Sequence, residues 1–294
     1  MTDTAVTSTL NVGPGLQLGL RDWPLADNSA ARAHVLIVHG LGEHSGRYAH
    51  VARRLNDWGY AVHSFDLWGH GQSGGERGSM RDDFALLDDL AAVVDHTRQA
   101  MAPGQSLVLL GHSLGGLLAA RFVSLGLRAI DALVLSSPAL DPGLNALQKV
   151  LLATLPGIAP NLRVGNGLQV KYLSHDPEVV AAYQADPLVH DRICARLALF
   201  IAQAGRQTLA CAGQWRTPTL LLYAGQDKLV SPQGSRDFVA QAPGAFVQHL
   251  CFDNLFHEIF NEAEAGPVFA ALHQWLSVGW DDVTAANAAG ASTA

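Results

Sequence analysis

Two stretches of the chain fit the pattern Gly-x-Ser-x-Gly: Gly111-His-Ser113-Leu-Gly115 and Gly71-Gln-Ser73-Gly-Gly75. A serine in that setting is a candidate nucleophile for acyl transfer if a sharp strand-to-helix turn lifts its hydroxyl out of the chain. Glycines flank such a turn because nothing larger fits. Ser113 lies three residues past the apolar run 107–110 and opens a helical stretch over 114–122. The free N–H groups and positive dipole end of that helix suit a developing oxyanion. Ser73 lies eight residues past Phe65, in a Gly-rich stretch that reads as a flexible loop with no helix before Met80. Ser113 is the expected nucleophile.

A serine nucleophile needs a base, and an acid to orient that base, in the chain order Ser, acid, His. Of the 13 histidines, three lie in or after the late strands. His249 falls within an alternating strand and His273 within a helix, where both read as packed or surface side chains. His257, in Asn254-Leu-Phe-His257-Glu258, follows the last strand and is the expected base. The acid belongs at the carboxyl end of the strand over 220–223, where Gly225-Gln-Asp227 stands. Its rivals are Asp253, which reads as a turn residue, and Asp141, which reads as a helix-entry residue. The loop His39-Gly-Leu41-Gly-Glu-His44 follows an early strand and offers glycines for close backbone approach to a substrate. The backbone N–H groups of Leu41 and Leu114 are the candidate oxyanion donors. A metal held by His39, His44 and His50 is disfavoured, because their spacing is unlike that of a zinc site.

These residues need a scaffold. Apolar runs at 35–38, 107–110, 132–135 and 220–223 read as strands buried on both faces, with 60–65 and 246–251 as two more. Helical stretches at 48–58, 82–101, 113–125, 232–241 and 264–276 alternate with them, which predicts a mostly parallel sheet flanked by helices. Residues 9–21 read as an antiparallel pair. The alternation breaks between Asp141 and Trp215, where helical pattern is punctuated by prolines and no strand is convincing; this segment is too long for a bare loop and reads as a helical lid. The expected organisation is a core over 1–140, the lid over 141–215, the rest of the core over 216–280 and a frayed tail over 281–294.

Composition narrows the partners. The chain has 294 residues, 49% hydrophobic and 15% charged, with a formal net charge of −7. That balance fits a globular protein and argues against nucleic acid or an anionic membrane surface. Three cysteines without C-x-x-C spacing suggest a reducing compartment. The N-terminal residues carry no secretory pattern. No apolar run reaches 18 residues, so the expected setting is the cytoplasm.

The blocks His39-Gly-Leu-Gly-Glu-His-Ser-Gly-Arg-Tyr48, Asp66-Leu-Trp-Gly-His-Gly-Gln-Ser-Gly74, Gly111-His-Ser-Leu-Gly-Gly116, Gly225-Gln-Asp227 and His257-Glu-Ile-Phe-Asn-Glu262 together resemble the monoacylglycerol lipase and lysophospholipase-like group of α/β-hydrolases. The resemblance covers roughly residues 32 to 277. It implies the α/β-hydrolase fold, Ser113, Asp227 and His257 as triad, the Leu41 and Leu114 amides as oxyanion hole, and a mobile apolar cap. The expected activity is hydrolysis of a lipophilic carboxylic ester, with monoacylglycerol as the first candidate and no cofactor or metal. A lysophospholipase, thioesterase or carboxylesterase on the same triad is the alternative, and a silent binding module is the reading from another class. Leu144, Leu147, Leu151 and Leu155 recur along one helix face of the lid and are candidates to line the acyl site or touch a lipid aggregate, or simply to pack downward.

Overall fold

A computed structural model describes residues 5–25, 31–143 and 146–280; the side chains of residues 146–149, 151 and 279 also fall outside the description. Eight strands form one sheet: β1 (Val6–Gly13), β2 (Leu16–Trp23), β3 (His34–Val38), β4 (Ala61–Phe65), β5 (Leu107–His112), β6 (Ala132–Ser136), β9 (Thr219–Ala224) and β10 (Val247–Phe252). Their order is β1-β2-β4-β3-β5-β6-β9-β10. β1 pairs with β2, and β2 with β4, antiparallel, and β4, β3, β5, β6, β9 and β10 run parallel to one another. This is the expected mostly parallel sheet, and the N-terminal pair extends beyond its predicted bounds.

The apolar runs become central strands because helices cover both faces. Every residue of β3, β5, β6 and β9 is buried. Leu36, Leu109, Leu133 and Leu221 share one core with Leu117 and Phe122 of α3 (Leu114–Ser124) and Leu90 of α2 (Ala85–Ala100). Val35, Val108, Val134 and Leu222 point the other way, onto α1 (Ala49–Asp57) and the late helix Gly266–Gln274. The period of two thus feeds both cores at once. Each such side chain contributes about 1.5–3 kcal/mol by leaving water.

Between β6 and β9 lie α4 (Ala146–Ile158), β7 (Arg163–Gly165), α5 (Pro177–Ala185), β8 (Arg192–Cys194) and α6 (Ala195–Cys211). The segment is mainly helical, as expected, but β7 and β8 form a small antiparallel pair that the sequence hides. Three residues per strand are too few to display an alternating pattern. α6 descends onto α3, and its Leu197, Ile201 and Ala204 join the core beneath. The predicted tail over 281–294 lies outside the described residues. Among the described residues no helix is long and apolar enough to cross a membrane.

Candidate active site

Ser113 sits between β5 and α3 with φ 53° and ψ −117°, backbone angles that L-residues seldom adopt. Three backbone bonds hold it there: its N–H donates to Ser136 O (3.0 Å), and its carbonyl accepts from Leu117 N (2.9 Å) and Ala139 N (3.0 Å). Gly115 must be glycine, since a methyl group there would overlap the carbonyl oxygen of Val38. The loop after β3 reaches the same point. A Cβ on Gly40 would stand 3.2 Å from Ser113 Cβ, so Leu41, the next residue, begins its turn against the serine.

Across the cavity, His257 Nδ1 donates to Asp227 Oδ2 at 2.6 Å, and both side chains are almost fully buried. The other Asp227 oxygen accepts from Leu229 N (2.8 Å) and Val230 N (3.0 Å), which fixes the carboxylate. Burial pushes the Asp227 carboxyl up, but the charge and hydrogen bond of His257, with the two amides, hold it below its usual value. Burial likewise pulls His257 down, and the Asp227 charge and bond, then the charges of Glu258 and Glu43, raise it above its usual value. The rivals are engaged elsewhere. Asp253 accepts from Cys251 Sγ (3.3 Å), and Asp141 from Gly143 N (3.0 Å). His249 is exposed on β10, and His273 stacks on Trp58 at 4.4 Å between ring centroids.

Ser73 is no part of a flexible loop. It is buried, accepting from Gly19 N (2.8 Å) and donating to Asp66 O (2.5 Å). The Asp66 carboxylate in turn takes Ser45 N (2.8 Å) and Gln72 N (2.7 Å). The second Gly-x-Ser-x-Gly therefore builds a strut. His39 receives Leu67 N on Nε2 (2.9 Å) and so donates from Nδ1 to Gly40 O (2.8 Å). His44 pairs with Asp186 (2.8 Å), and His50 with Phe260 O (3.1 Å). These imidazoles organise loops. Among the described residues, no group of three or more His, Cys, Asp or Glu is arranged to hold a metal.

Sequence reasoning missed a buried charge network beside the site. Arg47 grips Glu258 with both terminal nitrogens (2.6 and 2.8 Å) and reaches Glu43 (2.5 Å). Glu43 also accepts from Gly40 N (2.6 Å) and the Tyr48 hydroxyl (2.7 Å). Burial would raise Glu43, yet the Arg47 charge, with the Tyr48 bond, brings it to about 2. The Glu43–Arg47 spacing of four was a readable signal; the Arg47–Glu258 pairing, 211 positions apart, was not. His112, whose ring centroid is 4.8 Å from that of His257, is pulled down to about 4 by burial and then by the His257 charge, and stays neutral.

Ser113, His257, Leu41, Leu114 and Leu155 all face one cavity of about 490 Å³. Asp227 stands behind His257 and is not part of the wall. Leu152 also faces the cavity. Leu144 lies outside the described residues, as do the side chains of Leu147 and Leu151, so three of the four predicted lid positions have no described contacts. The inserted segment also lines the cavity, through Val164, Asn166, Tyr183, Ile193 and Ile201, so part of its wall comes from the stretch whose sequence pattern was hardest to read.

A mostly parallel sheet, a serine on a strained strand–helix turn and, facing the same cavity, an imidazole backed by a buried aspartate define a serine hydrolase of the α/β-hydrolase fold. Residues 29–264 match the family described as serine aminopeptidase, S33, and the chain belongs to it. It is 34% identical over 253 residues to a monoacylglycerol lipase of Mycolicibacterium smegmatis, covering 83% of this chain and 88% of that one. Human monoglyceride lipase is 30% identical over 254 residues, covering 84% and 82%. Among solved structures, the monoacylglycerol lipase of Paleococcus ferrophilus superposes with a TM-score of 0.78 at 34% identity, covering 88% of this chain and 98% of its own.

Proposed function

We propose that the chain hydrolyses monoacylglycerols to glycerol and fatty acid through an acyl-enzyme on Ser113. The observation that carries the reading is the Asp227–His257 hydrogen bond at the wall of the cavity into which Ser113 also opens. Ser113 Oγ attacks the ester carbonyl while His257 Nε2 takes its proton, and Asp227 keeps Nδ1 as the donor. The tetrahedral oxyanion is received by the Leu41 and Leu114 amides. His257 then protonates the departing glycerol oxygen, and water, deprotonated by the same imidazole, releases the fatty acid and restores Ser113. The inserted segment over 141–215 serves as a lid, and the apolar side chains it brings to the cavity, Leu152, Leu155 and Ile201 among them, take the acyl chain. Val150, Ile158 and Leu162 on its outer side are exposed apolar groups suited to brief contact with a lipid aggregate. Three free cysteines support a reducing, cytoplasmic setting.

The family description names a peptidase, while the Mycolicibacterium smegmatis, human and Paleococcus ferrophilus relatives are lipases, which favours the ester. The test is a panel of monoacylglycerols, lysophospholipids, thioesters and peptide amides, run beside labelling with a fluorophosphonate. Highest kcat/KM on monoacylglycerols, with the label on Ser113, is expected. Faster turnover of amides or lysophospholipids overturns the substrate assignment, and absence of labelling overturns the enzyme.

A further inference from the structure

The loop that carries His257 is tied to the inserted segment by one buried carboxylate. Glu262 Oε1 accepts from Phe256 N at 2.6 Å and from His175 Nδ1 at 2.9 Å. Its Oε2 accepts from His175 N at 2.9 Å and lies 3.3 Å from Ser174 Oγ. The side chain is only 2% exposed. Around it the same two stretches meet again: Glu258 N donates to Leu173 O (2.8 Å), Ser174 Oγ donates to Asn261 O (3.0 Å), and the His175 ring stacks on Phe256 at 3.5 Å between centroids. Residues 256 and 258 flank His257, so both backbone neighbours of the base are anchored through residues 173–175.

We propose that Glu262 is a positioning residue for the hydrolysis, holding the His257 loop and the 173–175 stretch of the insert in a single geometry. The proposal rests on the reading of His257 as the base. Its physical content is that the aim of the imidazole is set from the lid side as well as by Asp227. Asp227 fixes one ring nitrogen, but a hydrogen bond at one atom leaves the ring free to swing about it. The second constraint is the position of the backbone from which the ring hangs. Phe256 N and Glu258 N supply it, and Glu262 is the acceptor for the first. Loosening that acceptor moves the base relative to Ser113 without touching either residue, and displacements of about 1 Å at a reacting centre cost up to ~100-fold in rate.

Glu262→Gln keeps the shape and removes one of the two acceptor oxygens, so either Phe256 N–H or His175 N–H must face an amide NH₂. The assay uses a short soluble ester, with sites counted by running fluorophosphonate labelling to completion and a thermal melt alongside. The expected result is a fall of about tenfold in kcat per labelled site, with KM changed less than about twofold. His175→Ala, altering an exposed ring, gives a second variant should the first fold poorly. It is expected to lower kcat per site in the same direction by about threefold. A purely structural role predicts fewer labelled sites and a lower Tm with unchanged kcat per site, and that result overturns the proposal. His257→Ala separates the two levels: if it keeps activity the base assignment falls, and the proposal with it; if it is inactive while both other variants turn over normally per site, only the proposal falls.

Discussion

Asp227 Oδ2 stands 2.6 Å from His257 Nδ1, and the second oxygen of the same carboxylate is held by two backbone amides. The carboxylate is therefore an acceptor on both sides, and a donor at this position has nowhere to go. Asp227→Asn should favour the wrong imidazole tautomer and lower kcat by about 10⁴. Asp253→Asn, whose carboxylate meets only Cys251 Sγ among the described contacts, should change kcat less than about twofold. Steady-state kinetics on both variants decides, and a reversed order would reassign the acid.

The pH profile follows from the same pair. As the proposed base, His257 acts only when neutral, and although burial lowers its pKa, the Asp227 charge and hydrogen bond and the Glu258 and Glu43 charges raise it above the ordinary 6.5. Protonation therefore persists to higher pH than for a free imidazole, and kcat/KM should climb through a midpoint above 6.5. In Asp227→Asn the largest raising charge is gone while burial still lowers the imidazole, so the residual activity should climb at a lower pH than in the wild type. His112, near 4, adds no second step in this range. A profile flat from about pH 5 to 8 contradicts a histidine base.

The two serines of the repeated pattern should separate cleanly. Ser113→Ala removes the proposed nucleophile and should lower turnover by several orders of magnitude while the Tm stays near wild type. Ser73→Ala leaves Gly19 N–H without its buried acceptor and should cost about 1–3 kcal/mol of stability. Its folded fraction should turn over normally. Activity surviving in Ser113→Ala and lost in Ser73→Ala would invert the assignment.

Chain-length selection should be readable at Leu152 and Leu155, which face the cavity. Each buried methylene is worth about 0.8 kcal/mol, close to fourfold in kcat/KM. Leu152→Ser or Leu155→Ser should flatten the rise in kcat/KM with acyl length while a two- or four-carbon ester is cleaved almost as before. Equal loss at every length, with a lowered Tm, would mean that these leucines only pack the lid.

The central strands were legible because burial on both faces writes them as unbroken apolar runs, and Ser113 because a run of that kind ends three residues before it. That His257 and Asp227 should meet was expected from chain order and strand ends, and their side chains stand 2.6 Å apart. What escaped has a common cause in distance along the chain. Glu262 meets Ser174 and His175 87 or 88 positions away, and Arg47 meets Glu258 across 211. Nothing local marks a glutamate as a buried acceptor, since most glutamates sit in water. β7 and β8 were too short to show a period, and the strut at Ser73 looked like slack because glycines supply both slack and tight packing.

Ser113 occupies backbone angles that cost a non-glycine residue about 1–3 kcal/mol, and Ser137, at the end of the neighbouring strand, also has positive φ. Glycine would sit at position 113 with less strain, so Ser113→Gly should melt higher than the wild type while losing its turnover. A library screened only for heat resistance would thus enrich the loss of this hydroxyl, and one screened only for turnover would never sample it. Any attempt to evolve a tougher version of this enzyme has to read both properties at once, because at this residue they pull in opposite directions.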